Sequence, residues 1–329
     1  MDEHDNNPDT AARLAAYGAA SQTLNGWLEG SQALALLEAA SASGLLDAAW
    51  QPATTARLAA LTGLDESRVV DLCLALDAHG VLDRDGDTYA LAPAFATLND
   101  PDAPNPLATV LASAAAATRQ LAGPGGGYAG LPADEMLAIA RGVTVRPGAA
   151  LAGAALGVVE AALPEIAARW ARGGRHIEVG CGIGGGVLGA LLRYPALTAV
   201  GIDREAAPLG EARRAAGALG VADRVELRQQ DARDLADEVA YDTAFWSQFF
   251  FPRPTRTAAL AAIFRALRPG GYLGMPILPF APETPVGLRT AAGRQYARNR
   301  VRVRAGGDGR PLPLPAGSPS AGGRRAIDR

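Results

Sequence analysis

His176-Ile-Glu-Val-Gly-Cys-Gly-Ile-Gly-Gly-Gly186 is the stretch whose reading decides the fold. Ile177 and Val179 alternate with Glu178, which is the period of a strand. Five of the seven residues from Gly180 to Gly186 are glycine, and Val187-Leu188-Gly189-Ala190-Leu191-Leu192 opens a helix. A strand, a glycine turn and a helix N-terminus let a nucleotide lie against bare backbone. Gly180-Cys-Gly-Ile-Gly-Gly also satisfies G-x-G-x-x-G. By itself that pattern fits a nicotinamide or flavin enzyme equally well.

Around this stretch, short apolar strands alternate with amphipathic helices. Strands are expected at 176–179, 199–203, 225–230, 242–246 and 271–277, with helices to 194 and over 207–219 and 256–267. That alternation predicts a Rossmann-like, doubly wound α/β sheet with its ligands at the carboxyl ends of the strands. Asp203 ends the second strand, the usual place for an acid that binds ribose hydroxyls. Glu178 is an acid inside a buried strand, which is costly unless it has partners. Gln229-Gln230-Asp231-Ala232 puts an acid directly after the third strand, where it can accept from an adenine amino group or cap a turn. Leu267-Arg-Pro-Gly-Gly271 reads as a tight turn joining a helix to a later strand.

Glu178-Val-Gly-Cys-Gly-Ile-Gly, Gly201-Ile-Asp203, Gln230-Asp231-Ala232 and Leu267-Arg-Pro-Gly-Gly271 together resemble the successive motifs of class I S-adenosylmethionine (SAM)-dependent methyltransferases. The resemblance runs from Trp170 to Leu278. With the N-terminal region described below, the whole is similar to the two-domain small-molecule O-methyltransferases of bacterial secondary metabolism. The resemblance implies that Glu178 and the backbone of Gly180 and Gly182 hold the methionine end of SAM, with Gly184 also cofactor-binding. It places Asp203 and Arg204 at the ribose, Asp231 and the Ala232 N–H at the adenine, and Trp246 and Ser247 near the sulfonium. Plant-type relatives carry a histidine base just after the fourth strand. Here the stretch is Trp246-Ser-Gln-Phe-Phe-Phe-Pro252. Gln248, nearest to that place, can orient a substrate but cannot take its proton. The resemblance implies methyl transfer to a small-molecule acceptor, with oxygen favoured over nitrogen or carbon. The alternatives are a degenerate, methyltransferase-like ligand-binding or regulatory protein, and an NAD(P)-dependent oxidoreductase.

Upstream, 11–41 is helical by pattern, and 45–91 reads as helix, helix and hairpin around Asp85-Gly86, the order of a winged helix. Asp65 or Ser67 is positioned to cap the second of these helices. From 40 to 100 there are three arginines against nine acids, a charge that repels a phosphate backbone. A dimerisation platform is the better reading, and nucleic acid is not an expected partner. The partition expected is 1–105 winged-helix-like, 106–172 a helical connector roofing a cleft, and 173–288 the SAM-binding domain. The remainder, 289–329, is a tail rich in Arg, Gly and Pro.

The chain has 329 residues, a net charge of -3 and no lysine. Its two cysteines, Cys73 and Cys181, are far apart, so neither a disulfide framework nor a metal site is expected. The acidic leader and broken Ala-rich runs point to a cytoplasmic chain that does not enter a membrane. From 288 to 329, ten arginines face two aspartates. The helix and hairpin that normally complete such a sheet cannot be found there, which suggests either a disordered basic tail or a shifted reading frame.

Overall fold

The computed structural model describes residues 8–122, 131–251 and 253–276, with scattered positions between 289 and 298. The chain divides into two compact units, Met1–Asp100 and Pro101–Arg329.

In the first unit a 35-residue helix, α1 (Pro8–Ala42), leads to α2 (Leu45–Ala48) through Gly44. A two-residue strand β1 (Ala53–Thr54) precedes α3 (Thr55–Thr62), α4 (Glu66–Ala78), β2 (Leu82–Asp85), β3 (Thr88–Leu91) and α5 (Pro93–Asn99). Thr54 caps α3, its hydroxyl accepting from Arg57 N at 3.3 Å. Asp65 takes the cap position of α4, but its side chain makes no capping bond. β2 and β3 form the hairpin expected around Asp85-Gly86, and β1 adds a third antiparallel strand beside β3. Leu45, Leu46, Leu58, Val69, Leu72 and Leu76 fill the core between these helices.

The second unit begins with four helices: α6 (Leu107–Ala122), α7 (Ala133–Gly142), α8 (Ala150–Ala162) and α9 (Pro164–Ala171). Leu163 separates α8 from α9, and Pro164 takes the first turn of α9 because its fixed φ suits that position. Strands and helices then alternate: β4 (Arg175–Val179), α10 (Gly185–Arg193), β5 (Thr198–Asp203), α11 (Ala206–Ala218), β6 (Val225–Gln229), β7 (Tyr241–Trp246), α12 (Arg253–Ala266) and β8 (Leu267–Gly274). The five strands are ordered β6-β5-β4-β7-β8, and every described pairing is parallel. The chain winds outward from β4 to β6 and then returns to β7, so the order reverses beside β4. A crevice at the carboxyl ends follows from that reversal.

Alternation along the strands sends residues to two cores. Ile177, Val179, Val200, Ile202, Ala244 and Trp246 pack with Ala259, Ala262 and Ile263 of α12. The opposite face carries Val187, Leu188, Leu191, Leu209, Ile166 and Trp170. His176 and Glu178 point to this second face because they alternate with Ile177 and Val179.

Arg268-Pro-Gly-Gly271 is not the separate turn expected from the sequence. β8 starts at Leu267, directly after α12, and these residues bulge within it. Tyr241 pairs with Leu267 and Thr243 with Tyr272, so two steps along β7 face five along β8. Arg268 Nη1 pins the bulge to Asp242 Oδ2 at 2.7 Å, and Arg169 Nη2 donates to the Gly270 carbonyl at 2.8 Å. The expectations for the end of the sheet beyond 276 and for the tail 289–329 lie outside the described residues, scattered positions apart.

Candidate functional site

The carboxyl ends of β4, β5 and β7 open on a cavity of about 1050 Å³. The glycine loop forms its bed. Gly180 N and Cys181 N both donate to the Ile202 carbonyl, at 2.8 and 3.0 Å, which ties the loop to β5. Gly182 has φ +54, and a Cβ placed there would meet nothing within 4 Å, so its bare face looks into open space. Gly184 does not line the cavity: it is the left-handed N-cap of α10.

Glu178 lies beneath this bed and is buried. The Val187 N–H of α10 bonds its carboxylate, yet Oε2 has no partner among the described residues. Burial pushes the carboxyl up to about 7, against the pull of that N–H. A Cβ on Gly186 would stand 2.9 Å from both Glu178 oxygens, so glycine there leaves the carboxylate uncovered toward the cavity. An uncompensated buried carboxylate calls for a cation.

Asp203 ends β5 and is held rigidly. Its Oδ2 accepts from Gly182 N at 2.8 Å and its Oδ1 from Glu205 N at 2.9 Å. Burial raises its pKa, and those two N–H groups partly offset the effect. It faces the cavity with lone pairs still free for a diol. Arg204 lines the cavity too, its Nη2 paired with Glu205 Oε1 at 3.0 Å. Asp231 takes the capping role left open by the sequence. Its Oδ1 accepts from Arg233 N at 2.9 Å, and its Oδ2 pairs with Arg233 Nη2 at 2.9 Å. The Arg233 hydrogen bond lowers its pKa. Asp231 and the buried Ala232 still border the cavity.

Past β7 the wall becomes aromatic: Phe245, Phe250 and Phe251 line it with Met275 and Ser247. Trp246, expected at the cofactor, is turned away. Strand alternation sends Phe245 to the cavity and Trp246 to the α12 core, where its ring meets Phe251 edge-on with centroids 5.5 Å apart. Gln248 is buried and does not line the cavity.

Two features were not singled out from the sequence as parts of the site. Residues 142–145 and 148, from the end of α7 to the approach to α8, line the cavity, and Thr144 and Val145 lie against the N-terminus of α10. A Cβ on Gly185 would collide with Thr144 Oγ1 and the Val145 carbonyl. The second is His176, read only as the start of a strand, which borders the cavity. Burial lowers its pKa to about 4, so its ring is neutral. The advance signals were the connector 106–172, expected to roof a cleft, with a pair of glycines opening a helix, and a histidine in an apolar strand.

A parallel sheet in this order, a glycine loop above a buried acid and a second acid closing β5 make a Rossmann-like fold with its site at the carboxyl ends of the central strands. Residues 177–271 match the family model described as a methyltransferase domain, and this stretch is a methyltransferase domain. Solved structures share the fold across most of the chain. An O-methyltransferase family protein from Burkholderia thailandensis matches with TM-score 0.67 at 18% identity, covering 87% of each chain. Mitomycin 7-O-methyltransferase matches with TM-score 0.61 at 19% identity, over 89% of this chain and 88% of that one. Human N-acetylserotonin methyltransferase, in complex with SAM, matches with TM-score 0.61 at 14% identity over 86% of each. At these identities the likeness is one of fold.

Proposed function

We propose that the chain O-methylates an acidic hydroxyl on a small, largely aromatic, natural-product-like acceptor, working in the cytoplasm as a homodimer. One observation carries the reading: a bare carboxylate under a glycine bed shares one cavity with an aromatic wall. Ligand pockets run from roughly 300 to 1,000 Å³, so a cavity of about 1050 Å³ has room for two ligands from the lower half of that range.

The cradle fits SAM. The unpartnered Glu178 Oε2 suits its ammonium, with Gly180 and Gly182 letting the chain lie close and Gly184 starting α10. Asp203, beside Arg204, suits the ribose hydroxyls, and Asp231 with the Ala232 N–H suits the adenine. Ser247 stands at the end of β7, toward the reacting centre. SAM would supply a methyl group on a sulfonium, which departs as a neutral thioether and needs no proton. The protein's work is then to align the nucleophile and exclude water. Phe245, Phe250 and Phe251 can do both for a flat acceptor. Among the described residues, no side chain on that wall can accept a proton at neutral pH. A hydroxyl that ionises by itself answers that lack, and the O-methyltransferases of similar fold support oxygen as the target.

Two further elements of the reading have their own support. The exposed apolar residues of α1 suit a second copy of the chain. The two free, buried cysteines suit a reducing compartment. Among the described residues no helix is long and apolar enough to cross a membrane.

The test is a panel of phenols of graded acidity, with matched amines and carbon acids, assayed with SAM and the full chain by mass spectrometry. Methyl ethers are expected, at rates that follow the ionised fraction of each phenol as pH rises. Products methylated only on nitrogen or carbon, or no calorimetric binding of SAM, overturn the reading.

A further inference from the structure

β6 ends at Gln229, and one tight helical turn, Ala232–Asp234, follows it. Gln230, Asp231 and Ala232 line the cavity here. Two local bonds hold the turn. Asp231 Oδ1 caps it by accepting from Arg233 N at 2.9 Å, and Gln230 Nε2 donates to the Asp234 carbonyl at 2.7 Å. Ala232 anchors it further, being buried in the core with α12. The turn is therefore fixed without help from the Arg233 side chain.

What that side chain does is grip the carboxylate. Arg233 Nε donates to Asp231 Oδ1 at 3.0 Å and Nη2 to Oδ2 at 2.9 Å, so the planar guanidinium holds both oxygens at once. Arg233 does not itself line the cavity, and its side chain is half-exposed. An exposed ion pair adds little to stability. Its consequence here is geometric. An ionised carboxylate has about four acceptor sites. Arg233 N and Nε take two on Oδ1 and Nη2 takes one on Oδ2, and among the described residues nothing takes the last. The two-point grip also fixes the plane of the carboxylate, so the remaining site on Oδ2 keeps one direction. The Arg233 side chain lowers the carboxyl's pKa as well, so Asp231 has no proton to offer at neutral pH.

We propose that Arg233 is a positioning residue for cofactor selectivity: by gripping both oxygens of Asp231 it aims one acceptor site at the base, and the cavity then prefers a 6-amino purine to a 6-oxo purine. This role rests on the adenine lying at Asp231, as proposed above. A 6-amino group donates to such a site, whereas a 6-oxo group sets a second acceptor against it. Without the fork the carboxylate keeps its backbone cap and can turn about it, and the demand for a donor at one point is lost.

S-adenosylhomocysteine and S-inosylhomocysteine, which carries a 6-oxo group in place of the amino group, are titrated calorimetrically into the full chain. Neither can be turned over. The wild type is expected to favour the adenosyl ligand about 10- to 100-fold, the scale of a hydrogen bond to a charged group. Arg233→Ala should cut that preference at least about fivefold, by weakening the adenosyl ligand while the inosyl affinity holds. Arg233→Lys should do the same, because an ammonium keeps the charge but cannot hold both oxygens in a fork. Equal weakening of both ligands, an unchanged preference in Arg233→Ala, or full preference in the lysine variant overturns the role of the fork. Asp231→Asn tests the adenine's place. Its amide can turn to donate to the oxo group, so the preference should vanish. A preference that survives Asp231→Asn moves the adenine elsewhere, and the role of Arg233 falls with it. One that vanishes there but survives Arg233→Ala leaves the adenine in place and removes Arg233 alone.

Discussion

Glu178 shows how one residue links the fold to its ligand. It sits in a central strand because Ile177 and Val179 must face the α12 core, and alternation then buries the carboxylate on the other face. Burial pushes it up to about 7 in the folded chain, against 4.5 for an ordinary glutamate. The sign follows from linkage. The empty protein is most stable below the unfolded value, and it loses that stability as pH rises through about 7. With the cofactor ammonium on Glu178, as proposed, cofactor binding should run the other way, since an ammonium needs the ionised form. SAM affinity should be highest above pH 7 and fall about tenfold for each unit below it. Asp203, also raised by burial, adds to the loss at lower pH. Glu178→Gln should bind SAM weakly with a flatter profile, and the empty variant should melt above wild type at pH ~8 by a few degrees. Calorimetry and thermal melts across pH check both halves. Full SAM affinity in the glutamine variant would remove Glu178 from the cradle.

At the scale of elements, the meeting of α10 with the loop after α7 decides how the cradle is closed. Arg141 at the end of α7 grips Glu211 of α11 through two nitrogens, Nε at 2.9 Å and Nη2 at 2.6 Å. Asn105 Nδ2 donates to the Gly142 carbonyl at 3.1 Å. Held at that end, the loop presses Thr144 and Val145 onto Gly185, where no side chain fits. Gly185→Ala must therefore push the loop outward. A loss of about 1–3 kcal/mol, usual for overpacking, is expected together with weaker SAM binding. Gly189→Ala, one turn along and facing open space, is the control and should cost nothing. Thermal melts and SAM titrations of the two variants decide it, and an unchanged Gly185→Ala would show that the loop is not seated there. Sequence could reveal these elements only in part. The glycine run, Asp203 and the strand alternation were legible because each is a local pattern with one physical cause. The loop's seat on Gly185 was not, because it joins residues 40 apart by shape alone. The Arg268-Pro-Gly-Gly271 bulge was hidden for a related reason: a glycine pair marks a bend without saying whether a strand continues through it. Trp246 was misplaced by one step of alternation, which reverses the face a side chain serves.

At the scale of the molecule, α1 is the part that the single chain leaves unfinished. From 10 to 32 almost every residue of this helix is exposed. Leu14, Tyr17, Leu24 and Leu28 fall on one stripe at helical spacing, with Trp27 at its border. Leu14 and Tyr17 are 70% and 71% exposed, and Trp27 is 71% exposed. A helix in water draws most of its stability from packing an apolar face, and an Ala-rich run alone is marginal. Asp9, Arg13 and Glu29 are the only charges among the first 25 residues of α1, so the surface also lacks the charge that keeps a free face soluble. A symmetric pairing of two α1 helices would cover the stripe on both copies at once, the usual solution for a self-complementary patch. Tyr17→Glu with Trp27→Glu should therefore yield a monomer by analytical ultracentrifugation at concentrations where the wild type sediments as a dimer. The variant's α1 should also lose helicity by circular dichroism, while the SAM cradle, built entirely from residues after Pro101, keeps its affinity. A wild type that sediments as a monomer, or a double variant that still dimerises, would move the interface off α1.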